Sequence, residues 1–533
     1  MRGTFRAIVV VNALGFLFLA AWFFLYPAAR VVRDVSDPAL SSGEVPRAAW
    51  RLFRDLTPRY ERWARGWMTS GRGAHRPVTD ISGTEWPVFG SAFYLWSVES
   101  LQEAWEKDPS LFAVAPKEYA RGAVEAAKDL ILDPSSAGWV RAYWGDDYLT
   151  REDCFYRMLI IGSLTTHHKL TGETRHLGML REQVESLSAE IDRSPTGLID
   201  DYPGQCYNTD VVAAIAMIRR ADAALGTDHS EFARRALRGF TGECAGALDL
   251  VPFQADAHTG ETLVVPRGSS NSYLCIFAPE LWPEAAAAWY GIYERHYWQH
   301  RWMSEGFREF PAERPGGEWW LDVDAGPVLA GHGISACAFG LAAARVNGRF
   351  DHARPLAAEA IAVSWPLPDG TLAMPRMLSN ATDAPLVGEA GVLFALTRRP
   401  IAECGAAALG GDEAEGLTRG PLLNWGERVS HTTRERPSGV IPPIVGIVVM
   451  LYALAGLYAI LLGVRALRKL RRLRLGPPRG AAFQLVLWLI LAATGLALAL
   501  AWCLPAGMFV LLVPLGMPFA LPRLPKALAG EKR

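Results

Sequence analysis

The sequence predicts an all-α protein, an (α/α)6 toroid (six-hairpin barrel) flanked by transmembrane helices. Three observations lead there. Apolar residues recur at helical spacing from residue 31 to about 435, with little strand-like alternation. Glycines end successive helices in that stretch and start new ones, as in a row of helical hairpins. Long apolar runs stand at both ends of the chain.

Taken in order, Ala7–Leu25 is apolar apart from Asn12. It is long enough to cross roughly 30 Å of hydrocarbon. Arg2 and Arg6 precede it and set a cytoplasmic N-terminus. Cleavage as a signal peptide near Pro27 is the competing reading, but the apolar run exceeds a signal core, so residues 1–30 read as a retained anchor. Ile444–Val464, within 440–464, is a second span. Residues 465–480 carry Arg465, Arg468, Lys469, Arg471, Arg472, Arg474 and Arg479 with no acid, a cytoplasmic loop. Residues 483–522 hold Phe483–Trp502, which returns across the membrane, and Ala506–Leu521, shorter and broken by Pro514 and Pro518. Lys526, Lys532 and Arg533 lie in the tail, 523–533. Both flanks place 31–435 on the periplasmic or extracellular side of a bacterial inner (plasma) membrane, in a multi-pass protein.

Helical spacing is clearest in Tyr119–Leu132, Cys154–Leu170, Val211–Leu225, Phe232–Leu248 and Ile334–Arg345, and Glu261–Val265 is the one strand-like alternation. Lys169-Leu-Thr-Gly-Glu, Ala224-Leu-Gly-Thr-Asp and Val346-Asn-Gly-Arg place a glycine at a helix end, where the left-handed conformation costs it little. Other connections are longer and gather acids and aromatics: Thr84-Glu-Trp-Pro-Val-Phe-Gly, Tyr143-Trp-Gly-Asp-Asp-Tyr, Ile199 to Asp210, Pro266-Arg-Gly-Ser-Ser-Asn-Ser, and Trp319-Trp-Leu-Asp-Val-Asp-Ala-Gly-Pro. If the hairpins close into a ring, these loops meet at one rim; an open solenoid shares the same local pattern.

Several segments share an order and spacing: Ala92-Phe-Tyr-Leu, Tyr143-Trp-Gly-Asp, Glu152-Asp-Cys-Phe-Tyr, Lys169-Leu-Thr-Gly, Gly197-Leu-Ile-Asp-Asp-Tyr, Pro266-Arg-Gly-Ser-Ser and Asp324-Ala-Gly-Pro. Across about Pro87 to Asp351 the chain resembles the linalool dehydratase/isomerase family of (α/α)6 terpene-alcohol enzymes. The resemblance implies that fold and a pocket at these loops, with Tyr94 and Tyr156 at tyrosine-bearing positions. It departs at the catalytic groups. Leu159 stands where the family has a histidine, and Asp200 and Asp201 stand where it has a Cys-Glu pair. The second family cysteine falls near Thr209, with Cys206 close by.

The candidate chemistry is therefore carboxylate chemistry. Paired acids can divide into acid and base when their surroundings separate their pKa values. Asp201 is the first catalytic candidate, with Asp200, Asp147, Asp324 and Tyr156 beside it. Tyr94, Trp144, Asp146, Tyr207, Asp210, Arg267, Asn271 and Asp322 are candidates for substrate binding. Each has an ordinary alternative: Asp210 and Asp324 as helix caps, Asp146 and Asp147 as turn residues, Arg267 as one half of a structural ion pair. His167 and His168 are adjacent on a helix and read as structural; His332 is a minor candidate. Seven cysteines without a CxxC, and no histidine pair at zinc spacing, signal no metal or cofactor. A net charge of −1 argues against nucleic acid.

The expected function is acid/base hydration–dehydration or isomerisation of a lipid-like or isoprenoid substrate by a membrane-anchored enzyme. The alternatives are a glycan-active hydrolase or lyase on the same toroid, and a non-catalytic module that binds a glycan or a protein partner. Expected partners are a small molecule or glycan and the lipid bilayer.

Overall fold

The computed structural model describes residues 2–301, 303–314, 317–322, 325–381, 384, 386–401, 439–472, 490, 493 and 494. The protein is mostly helical, 69% helix with a few short strands. Among the described residues the helices are α1 (Arg2–Leu19), α2 (Tyr26–Val35), α3 (Arg47–Ser70), α4 (Ile81–Lys107), α5 (Pro116–Tyr119), α6 (Arg121–Leu132), α7 (Gly138–Trp144), α8 (Cys154–Thr171), α9 (Leu177–Arg193), α10 (Asn208–Leu225), α11 (Ser230–Ala236), α12 (Gly268–Leu281), α13 (Pro283–Tyr297), α14 (Ile334–Val346), α15 (Phe350–Val363), α16 (Ala373–Ala381), α17 (Val387–Thr397) and α18 (Pro443–Arg472). Three small antiparallel sheets accompany them. They are β1 (Gln254–Ala255) with β2 (Thr262–Val264), β3 (Trp298–Arg301) with β4 (Ser304–Phe307), and β5 (Trp319–Asp322) with β6 (Gly326–Leu329) and β7 (His332–Gly333).

The chain divides into two compact units. The larger comprises Asp34–Ala360 and Thr382–Ile444. In it α4 packs beside α8, α8 beside α10, α10 beside α12, α12 beside α14, α14 beside α17, and α17 beside α4. These six helices form a closed circuit of neighbours. Others pack on them: α6 on α4 and α8, α9 on α8 and α10, and α13 on α12. The fit is close because small residues stand at crossings. A Cβ on Gly162 of α8 would meet Met217 Sδ of α10 at 2.7 Å and Trp96 of α4 at 3.0 Å.

Helix ends follow the glycines. Gly172 and Gly226 adopt φ 73° and 66° and return their amides to His168 and Asp222 carbonyls. Elsewhere helix and loop differ from the sequence expectation. Thr84 to Gly90, expected as a loop, lies inside α4, which Asp80 caps with a hydrogen bond to Gly83 N. The aromatic, acidic composition of that stretch sits on helix and is packed. Phe232–Leu248 is helical only to Ala236 and continues as short 3-10 turns, since Gly239, Gly242 and Gly246 interrupt it. The Trp319 loop is a β-hairpin.

The smaller unit gathers Met1–Arg33, Ile361–Ala381 and Val445–Arg533. So residues 361–381, expected within the outer domain, group with the apolar ends. Two of its segments, Val9–Val35 and Pro443–Arg468, are long and apolar enough to cross a membrane. They pack antiparallel: Gly456 meets Leu25, and Gly463 meets Ala13 and Leu17. Phe16, Ala20, Ala459 and Leu462 form the core between them. Ala20–Leu25 is π-helical, and the Phe23 carbonyl accepts a 2.6 Å hydrogen bond from Trp365 Nε1. The expected segments Phe483–Trp502 and Ala506–Leu521 and the tail fall outside the described residues apart from 490, 493 and 494.

Candidate active site

Two loops meet where α8 and α10 begin. Asp153 is the residue before α8 and has φ 29° and ψ 58°. That conformation is costly for a residue with a Cβ, about 1 kcal/mol or more. The surroundings hold it there. Cys154 N donates to the Asp200 carbonyl at 3.1 Å. Asp200 N donates to Glu152 Oε2 at 2.9 Å. One turn further, Arg157 is fully buried and bonds Gln183 Oε1 at 2.8 Å and Glu190 Oε2 at 2.7 Å.

The second loop turns tightly at Tyr202–Gln205. Gln205 N donates to the Tyr202 carbonyl at 2.8 Å, and Asp201 N donates to the Gln205 carbonyl at 2.9 Å. Gly204, at φ 75°, donates its amide to Asp200 Oδ2 at 2.7 Å. This turn drives Asp201 inward, where it has no exposed surface. Its Oδ2 accepts from Tyr207 N at 2.6 Å, at the start of α10. Its Oδ1 is buried and has no hydrogen-bond partner among the described residues. The same holds for both carboxylate oxygens of Asp153 and for the Tyr273 hydroxyl on α12. Most buried polar atoms in proteins are satisfied by a partner, and here four that are not lie in one neighbourhood.

The electrostatics follow from burial. Desolvation, then the charge of Asp210, raises the Asp201 carboxyl well above the usual carboxylate range; Asp153 and Asp200 add to this, and only the Tyr207 amide opposes it. Desolvation likewise holds Asp153 well above that range, with the charge of Arg157 opposing and that of Glu85 adding. Asp200 is raised by burial, while the Gly204 amide pulls it down. Cys154 and Cys206 are buried, and desolvation raises both thiols well above their ordinary value, with Asp201 next in importance. They stay as thiols and are poor nucleophiles.

Aromatic side chains surround the acids. Trp144 Nε1 donates to the Asp201 carbonyl at 3.2 Å. The Tyr202 hydroxyl donates to Glu85 Oε1. Tyr207 stands edge-on to Phe253, with ring centres 5.2 Å apart. Phe89 of α4, half-buried, lies between Phe155 of α8 at 5.4 Å, Tyr273 of α12 at 6.0 Å and Phe339 of α14 at 6.5 Å. Rings from four helices thus converge beside the acids. Tyr273 feels the charges of Asp210, Cys154 and Asp201, which places it against the same group.

Of the residues singled out in the sequence, Asp200, Asp201, Tyr207, Asp210 and Trp144 come together here. Others do not. Asp146 is almost wholly exposed and pairs with Arg141 at 3.4 Å; Asp147 is exposed and pairs with Arg151 at 2.8 Å. They are turn residues that water solvates. Tyr94 is in the core, stacked on Tyr60 at 4.2 Å, with its hydroxyl donating to Thr57 Oγ1 at 2.9 Å. Tyr156 donates to the Ile131 carbonyl at 2.6 Å, so its hydroxyl is committed to the backbone. Arg267 is buried against Glu309 at 2.7 Å and lies over the Phe253 ring at 4.4 Å. It is one half of a structural ion pair, the ordinary alternative, and its partner is Glu309. Asn271 spends its amide on the Val251 and Arg267 carbonyls at 3.2 and 3.0 Å. Asp322 is on β5 opposite Gly326, and Asp324 lies outside the described residues.

Asp153, Tyr273, Phe89 and Glu85 are the members the sequence did not single out. Asp153 carried a signal: an aspartate directly before an apolar helix, inside Glu152-Asp-Cys. Phe89 and Tyr273 carried none, because an aromatic residue at helical spacing reads as core. Far along α8, His167 Nε2 lies 2.8 Å from Glu125 Oε1 and 3.8 Å from Glu173 Oε2, a spacing compatible with a cation. Lys128 Nζ already sits 3.2 Å from Glu125 and supplies positive charge there. No protein-family model matches the chain, and no curated protein matches it.

Proposed function

We propose that the closed circuit of six helices is an (α/α)6 toroid of the linalool dehydratase/isomerase type. In this reading it is carried outside a bacterial plasma membrane by a multi-pass anchor. We infer that it performs acid/base loss or addition of water, or isomerisation, on an apolar alcohol of isoprenoid or lipid type. One observation carries this: two buried acids of raised pKa, each with unpartnered oxygen, beside converging aromatic rings.

The chemistry runs as follows. Protonated Asp201 gives its proton to the substrate hydroxyl as the C–O bond breaks, and water leaves. Positive charge left on carbon is met by the faces of Phe89 and Tyr273. Protonated Asp153 donates a hydrogen bond that orients the hydroxyl. Asp210, the carboxylate most strongly linked to Asp201, takes a proton from the adjacent carbon and an alkene forms. Transfer of that proton back to Asp201 restores the site, and the reverse sequence hydrates the alkene. The converging rings favour an apolar chain over a sugar, which would need a more polar lining.

The test is turnover of the full-length protein on isoprenoid alcohols and, in parallel, on oligosaccharides. Conversion of an alcohol that falls about 100-fold or more in Asp201→Asn supports the reading, general acid catalysis being worth 10²–10⁴. Cleavage of a glycan instead, or unchanged turnover in the variant, rejects it.

A further inference from the structure

The β5–β6 hairpin has one apolar face that nothing described covers. In the antiparallel register Trp319 stands opposite Leu329, and Leu321 opposite Pro327. Directly opposed residues share a face. On that face Trp319 is 67% exposed, Leu321 75% and Leu329 51%. On the other face Val328 is buried, while Trp320 meets the Phe310 ring at 6.0 Å and stays 51% exposed. Scattered exposed leucines need no explanation, but a contiguous Trp-Leu-Leu face marks an interaction surface.

A path of contacts ties this face to the start of an apolar helix. Leu329 pairs with His332, whose Nε2 is 3.0 Å from Ser304 Oγ. Ser304 follows Met303, itself half exposed, and the Met303 carbonyl accepts a 3.0 Å hydrogen bond from Ile444 N. Ile444 is the second residue of α18, whose Pro443–Arg468 stretch is long and apolar enough to span a bilayer. Val440, just before it, is also exposed. Exposed Val440 and Met303 therefore stand at the head of that helix, and contacts through Ser304 and His332 lead from there to the hairpin. Tryptophan with leucine beside a membrane helix is the composition of the interfacial layer.

We propose that the Trp319–Leu329 face docks on the lipid bilayer, lying in the interfacial layer beside the head of α18. This rests on the reading of α18 as a membrane helix.

The experiment uses the full-length chain in phosphatidylcholine/phosphatidylglycerol nanodiscs. An environment-sensitive dye is attached at Leu321→Cys or, as the anchor reference, at Leu454→Cys; the unsubstituted chain treated identically gives the background. Expected is blue-shifted emission at both sites, with loss of emission at position 321 stronger for shallow than for deep doxyl lipid. Water-like, unquenched emission at 321 with a quenched label at 454 overturns the docking and leaves the membrane reading standing. Blue-shifted emission at 321 that doxyl lipid does not quench also overturns it, since protein then covers the face. Absence of quenching at both sites overturns the docking and the membrane reading together.

Discussion

Asp153 combines a strained backbone with a buried carboxyl that lacks hydrogen bonds, two features that a chain keeps only where something else requires them. Asn tolerates the same left-handed conformation and carries no charge to desolvate. Asp153→Asn is therefore expected to hold or raise the melting temperature while lowering turnover, which thermal unfolding and a rate assay on the same sample will check. The pair Arg267–Glu309 behaves oppositely. Glu309 is buried, accepts from Ser269 N at 3.1 Å and neutralises Arg267. Glu309→Ala removes the carboxylate that neutralises the buried Arg267 guanidinium, and a loss of about 3 kcal/mol in chemical denaturation is expected. How legible these residues were depended on their neighbours in sequence. Asp200 and Asp201 lie in the loop before α10 and Asp210 in its first turn, so proximity along the chain sufficed to group them. Asp146 and Asp147 have the same composition but sit in a solvated turn, and no local signal separates the two cases. Tyr273 reaches the site only through the packing of α12, which single-sequence periodicity does not contain.

Among the elements, helix ends written in glycine were legible, because the left-handed cap is a local property. Thr84–Gly90 was not, since its proline and aromatics read as loop while packing places them inside α4. The antiparallel pair of apolar helices makes a sharper statement. A Cβ on Gly456 would lie 2.6 Å from Leu25 Cδ2. Without a hydrophobic driving force in lipid, such pairs depend on close packing of small residues. Gly456→Ile is expected to destabilise the pair by about 1–3 kcal/mol, read as a lower melting temperature in detergent. It should also weaken cross-linking between cysteines placed at Leu17 and Gly463.

For the whole molecule, buried acids set the pH response. Glu359, half-buried and accepting from Glu305 N at 2.9 Å, is pushed up to about 7 from 4.5 by desolvation. Asp153, Asp200 and Asp201 are raised by the same cause. Once pH exceeds the unfolded carboxyl values, each raised acid binds a proton in the folded chain that the unfolded chain has lost, so its contribution to stability falls as pH rises through this window; His332 and His352, pushed down to about 4 by desolvation, act in the opposite sense. Glu359→Gln should shift the difference in stability between pH 7.5 and pH 5 in favour of pH 7.5 by up to about 2 kcal/mol relative to the parent; no change in that difference would contradict the assignment.

The widened turn at Ala20–Leu25 has a mechanical consequence. A π-helical stretch holds one residue more than an α-helix over the same hydrogen-bonded length. Each residue advances a helix by about 100°, so the extra one works as a phase adjuster, rotating the faces of Tyr26–Val35 relative to those of Arg2–Leu19. Deleting a single residue there would close the ladder, turn Val31 away from its buried position and withdraw the Phe23 carbonyl from Trp365.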